Sequence, residues 1–168
     1  PLYDAIDTIL YVPSERADHG PYIRDHVDVK RSMIFVVLAL IPCLLFGIYN
    51  AGYQAAGALS SEKSFIDLFL SGAFVVAPMY AVVFTVGGLC EALFAILRKH
   101  EINEGFLVTG MLIPLTMPPT IPLWMLAIAT FFGIVIGKEI FGGTGYNIFN
   151  PALTARAFIF FAYPTTMS

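Results

Sequence analysis

Glu91 stands alone in the apolar run Val86-Gly87-Gly88-Leu89-Cys90-Glu91-Ala92-Leu93-Phe94. Inside a membrane segment a carboxylate is expensive unless a counter-charge or water meets it. Two readings follow: the acid lies near an interface, satisfied by a neighbouring helix or by Arg98, or it is a step in a cation path. Gly87 and Gly88 likewise carry two readings. They let helices approach closely, as small residues do in membranes, or they leave room for a flat apolar ligand beside Glu91.

The other notable stretch is Gly142-Gly143-Thr144-Gly145-Tyr146-Asn147-Ile148-Phe149-Asn150-Pro151. Such a composition forms no regular helix, and irregular backbone at membrane depth survives only where protein buries it or it lines a cavity. Its plain reading is a hinge whose glycines supply positive φ and whose asparagines cap the next helix. The sharper one is a pocket in which freed amides, Asn147 and Asn150 hold a polar planar ligand at a half-helix N-terminus. No Gly-Lys-Ser/Thr or full Gly-x-Gly-x-x-Gly is present, so neither a P-loop nor a Rossmann site is supported.

Lys138-Glu139 reads as an interfacial pair ending a span. Arg156, in the last apolar run, either snorkels toward the cytoplasmic face or pairs with an acid or anionic ligand. His19, His26 and His100 all fall outside the spans, which disfavours haem. Cys43 and Cys90 form neither a zinc motif nor a disulfide framework. No catalytic side chain and no metal site are therefore predicted.

The elements that position these residues are membrane helices. Of the 168 residues, 58% are hydrophobic and 12% charged, with mean hydropathy +0.78, which defines an integral membrane protein. The small net charge of −3 speaks against nucleic acid as a partner. Residues 1–31 form a polar segment with a short helix stopped by Pro13, and residues 32–168 a membrane domain of about five helices. The first span covers 32–49, with a kink at Pro42, and a loop follows at 50–67. An overlong second span covers 68–97. Asn103 caps a half-helix at 106–113, broken by Pro114 and the prolines at 118, 119 and 122. A span at 123–137 and a short helix at 151–163 complete the pattern.

Four of the nine Lys and Arg precede the first span, and Arg98, Lys99 and Lys138 fall on that same side. This puts the N-terminus in the cytoplasm and Tyr163 outside. The absence of an initiating Met and the abrupt aromatic end read as a fragment.

Four runs carry a resemblance: Arg24-Asp25-His26-Val27-Asp28-Val29-Lys30-Arg31, Tyr49-Asn50-Ala51-Gly52-Tyr53-Gln54, Arg98-Lys99-His100-Glu101-Ile102-Asn103-Glu104-Gly105-Phe106, and Lys138-Glu139-Ile140-Phe141-Gly142-Gly143-Thr144-Gly145 followed by Asn150-Pro151-Ala152-Leu153. In this order they resemble the B subunits of the sodium-translocating NADH:quinone oxidoreductases (Nqr) and, more weakly, the related D subunits of Rnf complexes. The resemblance implies an all-α integral membrane fold, the first five-helix half of a ten-helix inverted-repeat bundle similar to urea transporters, with interrupted half-helices.

It also implies a multi-pass protein of the bacterial inner membrane that passes electrons through bound flavins to ubiquinone or menaquinone, coupled to sodium export. Such a protein works only with the other subunits of the Nqr complex, one of which binds NADH. The implied cofactors are riboflavin and an FMN held covalently on a threonine of a Ser-Gly-Ala-Thr motif. That motif is absent, and Thr165 and Thr166 do not match it, so the FMN site is expected beyond Ser168. By position, the resemblance puts Asn147, Asn150, Gly143 and Thr144 at riboflavin. It puts Gly87, Gly88, Glu104 and Phe106 at the quinone, and makes Glu91 the membrane carboxylate that handles sodium. The alternatives are a channel or carrier for a small polar solute, and a purely structural assembly subunit.

Overall fold

The computed structural model describes residues 29–57, 64–98 and 105–167. The expectations for the N-terminal segment before Val29, for the Asn103 cap and for Glu104 lie outside the described residues. Five α-helices appear among them: α1 Val29–Gly57, α2 Phe65–Arg98, α3 Gly105–Thr116, α4 Leu123–Gly137 and α5 Pro151–Ala162. A 3-10 turn, Glu139–Phe141, follows α4.

Among the described residues three segments are long and apolar enough to cross a membrane: Arg31–Gly57, Phe65–Arg98 and Leu123–Phe141. Helices α3 and α5 have 12 residues each, about 18 Å at 1.5 Å per residue and short of a hydrocarbon core of about 30 Å. Many large apolar side chains point outward, among them Phe74, Leu89 and Ile96, as expected where lipid or protein, not water, surrounds the bundle.

Three boundaries differ from expectation, one of them that of α3, which runs through Pro114 to Thr116 instead of breaking at that proline. Helix α1 continues through Gly57 and α2 begins at Phe65, so most of the loop expected at 50–67 is helical. Its Ala and Gln residues favour helix, and Gly52 is locked against α2. A Cβ on Gly52 would lie 1.9 Å from the Leu68 carbonyl oxygen, and one on Gly72 1.8 Å from that of Ile48. Only glycine permits this reciprocal backbone approach. Helix α2 runs through Pro78 as one 34-residue element, long enough to tilt.

The buried face of α2 is Met79, Val83, Gly87, Glu91 and Ala95. These positions are four apart, a single ridge along the helix. Glu91 is therefore buried by the same periodicity that buries Val83. Helix α4 turns Ala129, Gly133 and Gly137 inward, and a Cβ on Gly133 would lie 2.6 Å from the Pro151 carbonyl oxygen. Small residues thus bring α5 against α4. The core is filled by Met79, Val83, Ile113, Leu126, Ile134 and Ile159.

Candidate functional site

The candidate site residues among those described collect at one end of the bundle, where the C-termini of α2 and α4 meet the N-termini of α3 and α5. Helix α4 closes at Gly137, and the Lys138 amide donates to the Ile134 carbonyl (3.1 Å). Gly142 and Gly143 have φ of +125° and +91°, conformations other residues adopt only with strain. They fold the chain back so that the Gly143 amide reaches the Lys138 carbonyl (3.2 Å). The Glu139 carboxylate then lies against Gly143, 3.8 and 3.9 Å from where a Cβ would stand.

This turn drives Lys138 into the bundle. Its Nζ donates to Glu91 Oε1, with the side chains only 3% and 5% exposed. Glu139 Oε1 lies 3.9 Å from the same ammonium, and Arg98 Nη1 is 4.0 Å from Glu139 Oε2. Arg98 also stands over the Phe94 ring, 5.4 Å from its centroid. Among the described residues two carboxylates and two cations meet here, so that each buried charge has an opposite one near it. Lys138-Glu139 is thus a pair buried by protein directly after the end of α4. The neighbour that meets Glu91 is Lys138 of α4, while Arg98 turns to Glu139. Among the described residues, Glu139 Oε2 and Thr144 Oγ1 are buried with no hydrogen-bond partner.

Gly87, Gly88 and Phe106 are together. A Cβ on Gly87 would meet Phe106 Cε2 at 2.6 Å and Ile134 Cδ1 at 2.7 Å, whereas one on Gly88 would lie 3.8 Å from the same ring. The space above Gly87 is therefore filled by protein, whereas a side chain on Gly88 would meet the same ring only in ordinary contact. Phe84 meets Phe106 edge-on, with centroids 5.7 Å apart.

The Gly142–Pro151 stretch is largely self-satisfied. Asn150 caps α5, its Oδ1 accepting from the amides of Ala152 (3.0 Å) and Leu153 (3.4 Å). Asn147 accepts from the Gly145 amide (3.3 Å) and donates to the Phe149 carbonyl (3.0 Å). The amides expected to face a ligand are occupied by the cap. Tyr146 and Phe149 of the same stretch are exposed aromatic side chains. Thr144 packs against Gly105, where a Cβ would meet its Cγ2 at 2.6 Å. Arg156 takes neither expected role: its Nη1 donates to the Thr116 carbonyl (2.7 Å), capping the broken end of α3.

Sequence reasoning left Lys138 and Glu139 at the end of a span and missed that they are buried with Glu91. Their signal is the apolar pair Ile140-Phe141 directly after them, which keeps the charges from marking a true membrane boundary.

Apolar spanning helices, two short broken helices and a charge cluster buried among them define an all-α integral membrane protein. The chain belongs to the NQR2, RnfD, RnfE family, matched over residues 16–168. It is 50% identical to the B subunit of the Na(+)-translocating NADH-quinone reductase of Stutzerimonas stutzeri, over 99% of this chain and 47% of that protein. Identity to the same subunit from Azotobacter vinelandii is 48%, with the same coverage. For the one from Chlamydia abortus it is 46%, over 100% of this chain and 38% of that protein. The chain spans about half the length of the curated relatives it matches.

Proposed function

We propose that the chain forms part of the membrane subunit of a sodium-pumping NADH:quinone oxidoreductase, which sends electrons through bound flavins to ubiquinone or menaquinone and exports sodium across the bacterial inner membrane. The observation that carries this reading is the Glu91–Lys138 pair, an ionisable pair inside an apolar bundle of a chain of this family. Intramembrane ionisable residues mark ion pathways far more often than they stabilise folds.

When bound, the flavins and quinone supply the redox chemistry. The protein's own groups position them: Asn150, Asn147, Gly143 and Thr144 with the rings of Tyr146 and Phe149 for riboflavin, and Gly88 with Phe106 and Glu104 for the quinone. Gly87 sets the seat of the Phe106 ring. Glu91 belongs to the sodium path, and a covalent FMN lies on a downstream threonine. The five helices are half of an inverted-repeat bundle, the N-terminus faces the cytoplasm, and NADH binds another subunit.

The test uses the full-length subunit in its assembled complex, in proteoliposomes. NADH-driven quinone reduction should be sodium-stimulated, with flavin absorbance in the subunit and sodium movement across the bilayer. A flavin-free subunit with all partners present, or sodium-independent turnover, refutes the proposal.

A second reading, a channel or carrier for a small polar solute, draws on a cavity of about 210 Å³ between α1, α2 and α3, lined in part by Asn50, Gln54 and Tyr80. It requires solute flux in liposomes without any electron donor.

A further inference from the structure

Helix α3 stops short of its neighbours and leaves a cleft between them. It has 12 residues, whereas α1 and α2 beside it have 29 and 34. Beyond Thr116 the chain turns through Pro118 and Pro119, so the place a spanning helix would fill remains as the cavity of about 210 Å³. Pro114, Leu115 and Met117 close its inner side, and the Tyr80 hydroxyl ties α2 to α3 by donating to the Met111 carbonyl (3.2 Å). Its other wall is a stripe of α1, Gly47, Asn50 and Gln54, which share one helix face by their spacing of three and four. Helices α1 and α2 are locked together at Gly52 and Gly72 and cannot close over it. We infer that this cleft binds the glycerol ester end of a diacyl lipid, whose ester carbonyls accept hydrogen bonds from the Asn50 and Gln54 carboxamides while its chains cover the apolar wall. The site does not depend on the redox chemistry proposed above.

Depth selects the ester region of a lipid. Asn50 lies about 28 Å along α1 from Arg31 at 1.5 Å per residue, close to the hydrocarbon thickness of about 30 Å, so the two carboxamides stand at the interface opposite the cationic end. Stacked rings mark the same level. Tyr49 pairs with Phe65, centroids 5.2 Å apart, and with Tyr53 at 6.4 Å, as aromatic side chains do at membrane interfaces. The ester groups of a bilayer lipid border its hydrocarbon core, at that level.

Size and charge narrow the occupant further. The cleft is smaller than the roughly 300–1,000 Å³ of pockets for drug-sized ligands, so it takes one end of an amphiphile whose remainder lies in the bilayer. None of the described lining residues is acidic, basic or histidine, and the charge of the head group is therefore not read. Asn and Gln each carry two N–H donors, which match a pair of ester carbonyls. Left empty, the cleft would forfeit the dispersion contacts of its apolar lining. Lipid, being the surrounding solvent, fills it without high affinity.

The experiment takes the full-length subunit in its assembled complex, strips lipid in detergent, and titrates back diacyl phosphatidylethanolamine or its dialkyl ether analogue, which lacks the carbonyls. Native mass spectrometry counts the retained lipid. Wild type should hold one diester lipid more than Gly47→Leu, whose side chain fills the cleft; a Cβ there lies 3.9 Å from Leu115 Cδ2, an ordinary contact. The site should prefer diester to diether at least about fivefold, the lower end for two neutral hydrogen bonds. Asn50→Leu/Gln54→Leu, at two exposed positions, should abolish that preference. Equal lipid counts in wild type and Gly47→Leu, or equal retention of diester and diether, overturns the inference, as does a quinone retained in place of the lipid. Should Gly47→Leu fail to assemble, the double variant decides, and an undiminished diester preference in it overturns the inference.

Discussion

Gly87 and Gly88 are neighbours on α2 with different surroundings, and replacing each by alanine separates packing from ligand binding. A Cβ at Gly87 would meet Phe106 Cε2 at 2.6 Å and Ile134 Cδ1 at 2.7 Å. Ordinary carbon contacts begin near about 3.5 Å, so ring and methyl must each give way by about 1 Å. Phe106 is held from the other side by Phe84, so the shift propagates, and overpacking of this kind costs about 1–3 kcal/mol. At Gly88 the new Cβ lies 3.8 Å from the ring, an ordinary contact with no cost. The gain in helix propensity from Gly to Ala, about 1 kcal/mol, is common to both variants and cancels. Gly87→Ala should therefore be less stable than Gly88→Ala by about 1–3 kcal/mol, read as unfolding of the full-length protein in detergent. The larger Gly88→Val fills the open side of the Phe106 ring. In the assembled complex it should raise the apparent KM for quinone while kcat at saturation and flavin content hold. Gly88→Ala at or below the stability of Gly87→Ala would refute the packing argument. An unchanged quinone KM in Gly88→Val would remove the quinone from this face.

The backbone crossing of α1 and α2 predicts that Gly52→Ala and Gly72→Ala each destabilise by about 1–3 kcal/mol or more, because the new Cβ would stand 1.9 or 1.8 Å from a carbonyl oxygen. The double variant should cost little more than the worse single one, since one displacement of the helices relieves both clashes; additive losses would refute the shared crossing. Asn150→Ala should lose about 1 kcal/mol of stability with the α5 cap, whereas Asn150→Asp keeps the acceptor oxygen and should retain that stability. If the side-chain amide nitrogen meets the flavin, both variants should lose flavin absorbance, and full flavin content in Asn150→Asp would release Asn150 from that role. Arg156→Met strands the Thr116 carbonyl, to which Arg156 donates at 2.7 Å, and should destabilise by about 1.5–3 kcal/mol, the range for a bond to a charged donor. An unchanged unfolding midpoint would show that Arg156 does not cap α3.

How legible the molecule was from its sequence depended on the range of the interaction. The 15-residue span α4 and the start of α5 at Pro151 follow from local rules: an apolar run closed by glycine, and proline in a first helical turn after an asparagine cap. Helix α1 overran its expected end because Gly52 is fixed by α2, a tertiary contact that outweighs glycine's poor propensity. The charged site was hidden for the same reason. Glu91 and Lys138 are 47 residues apart, and no periodicity along a chain pairs residues at that distance. The linear reading offered Glu91 an unnamed neighbouring helix or Arg98, and gave Lys138 to the membrane surface. It takes the four-residue ridge of α2 and the two left-handed glycines, Gly142 and Gly143, to turn one acid and one cation toward each other. The glycines that looked like a ligand-binding break are therefore also the device that buries Lys138. Giving either one a side chain should strain the turn and loosen the cluster before it touches any flavin.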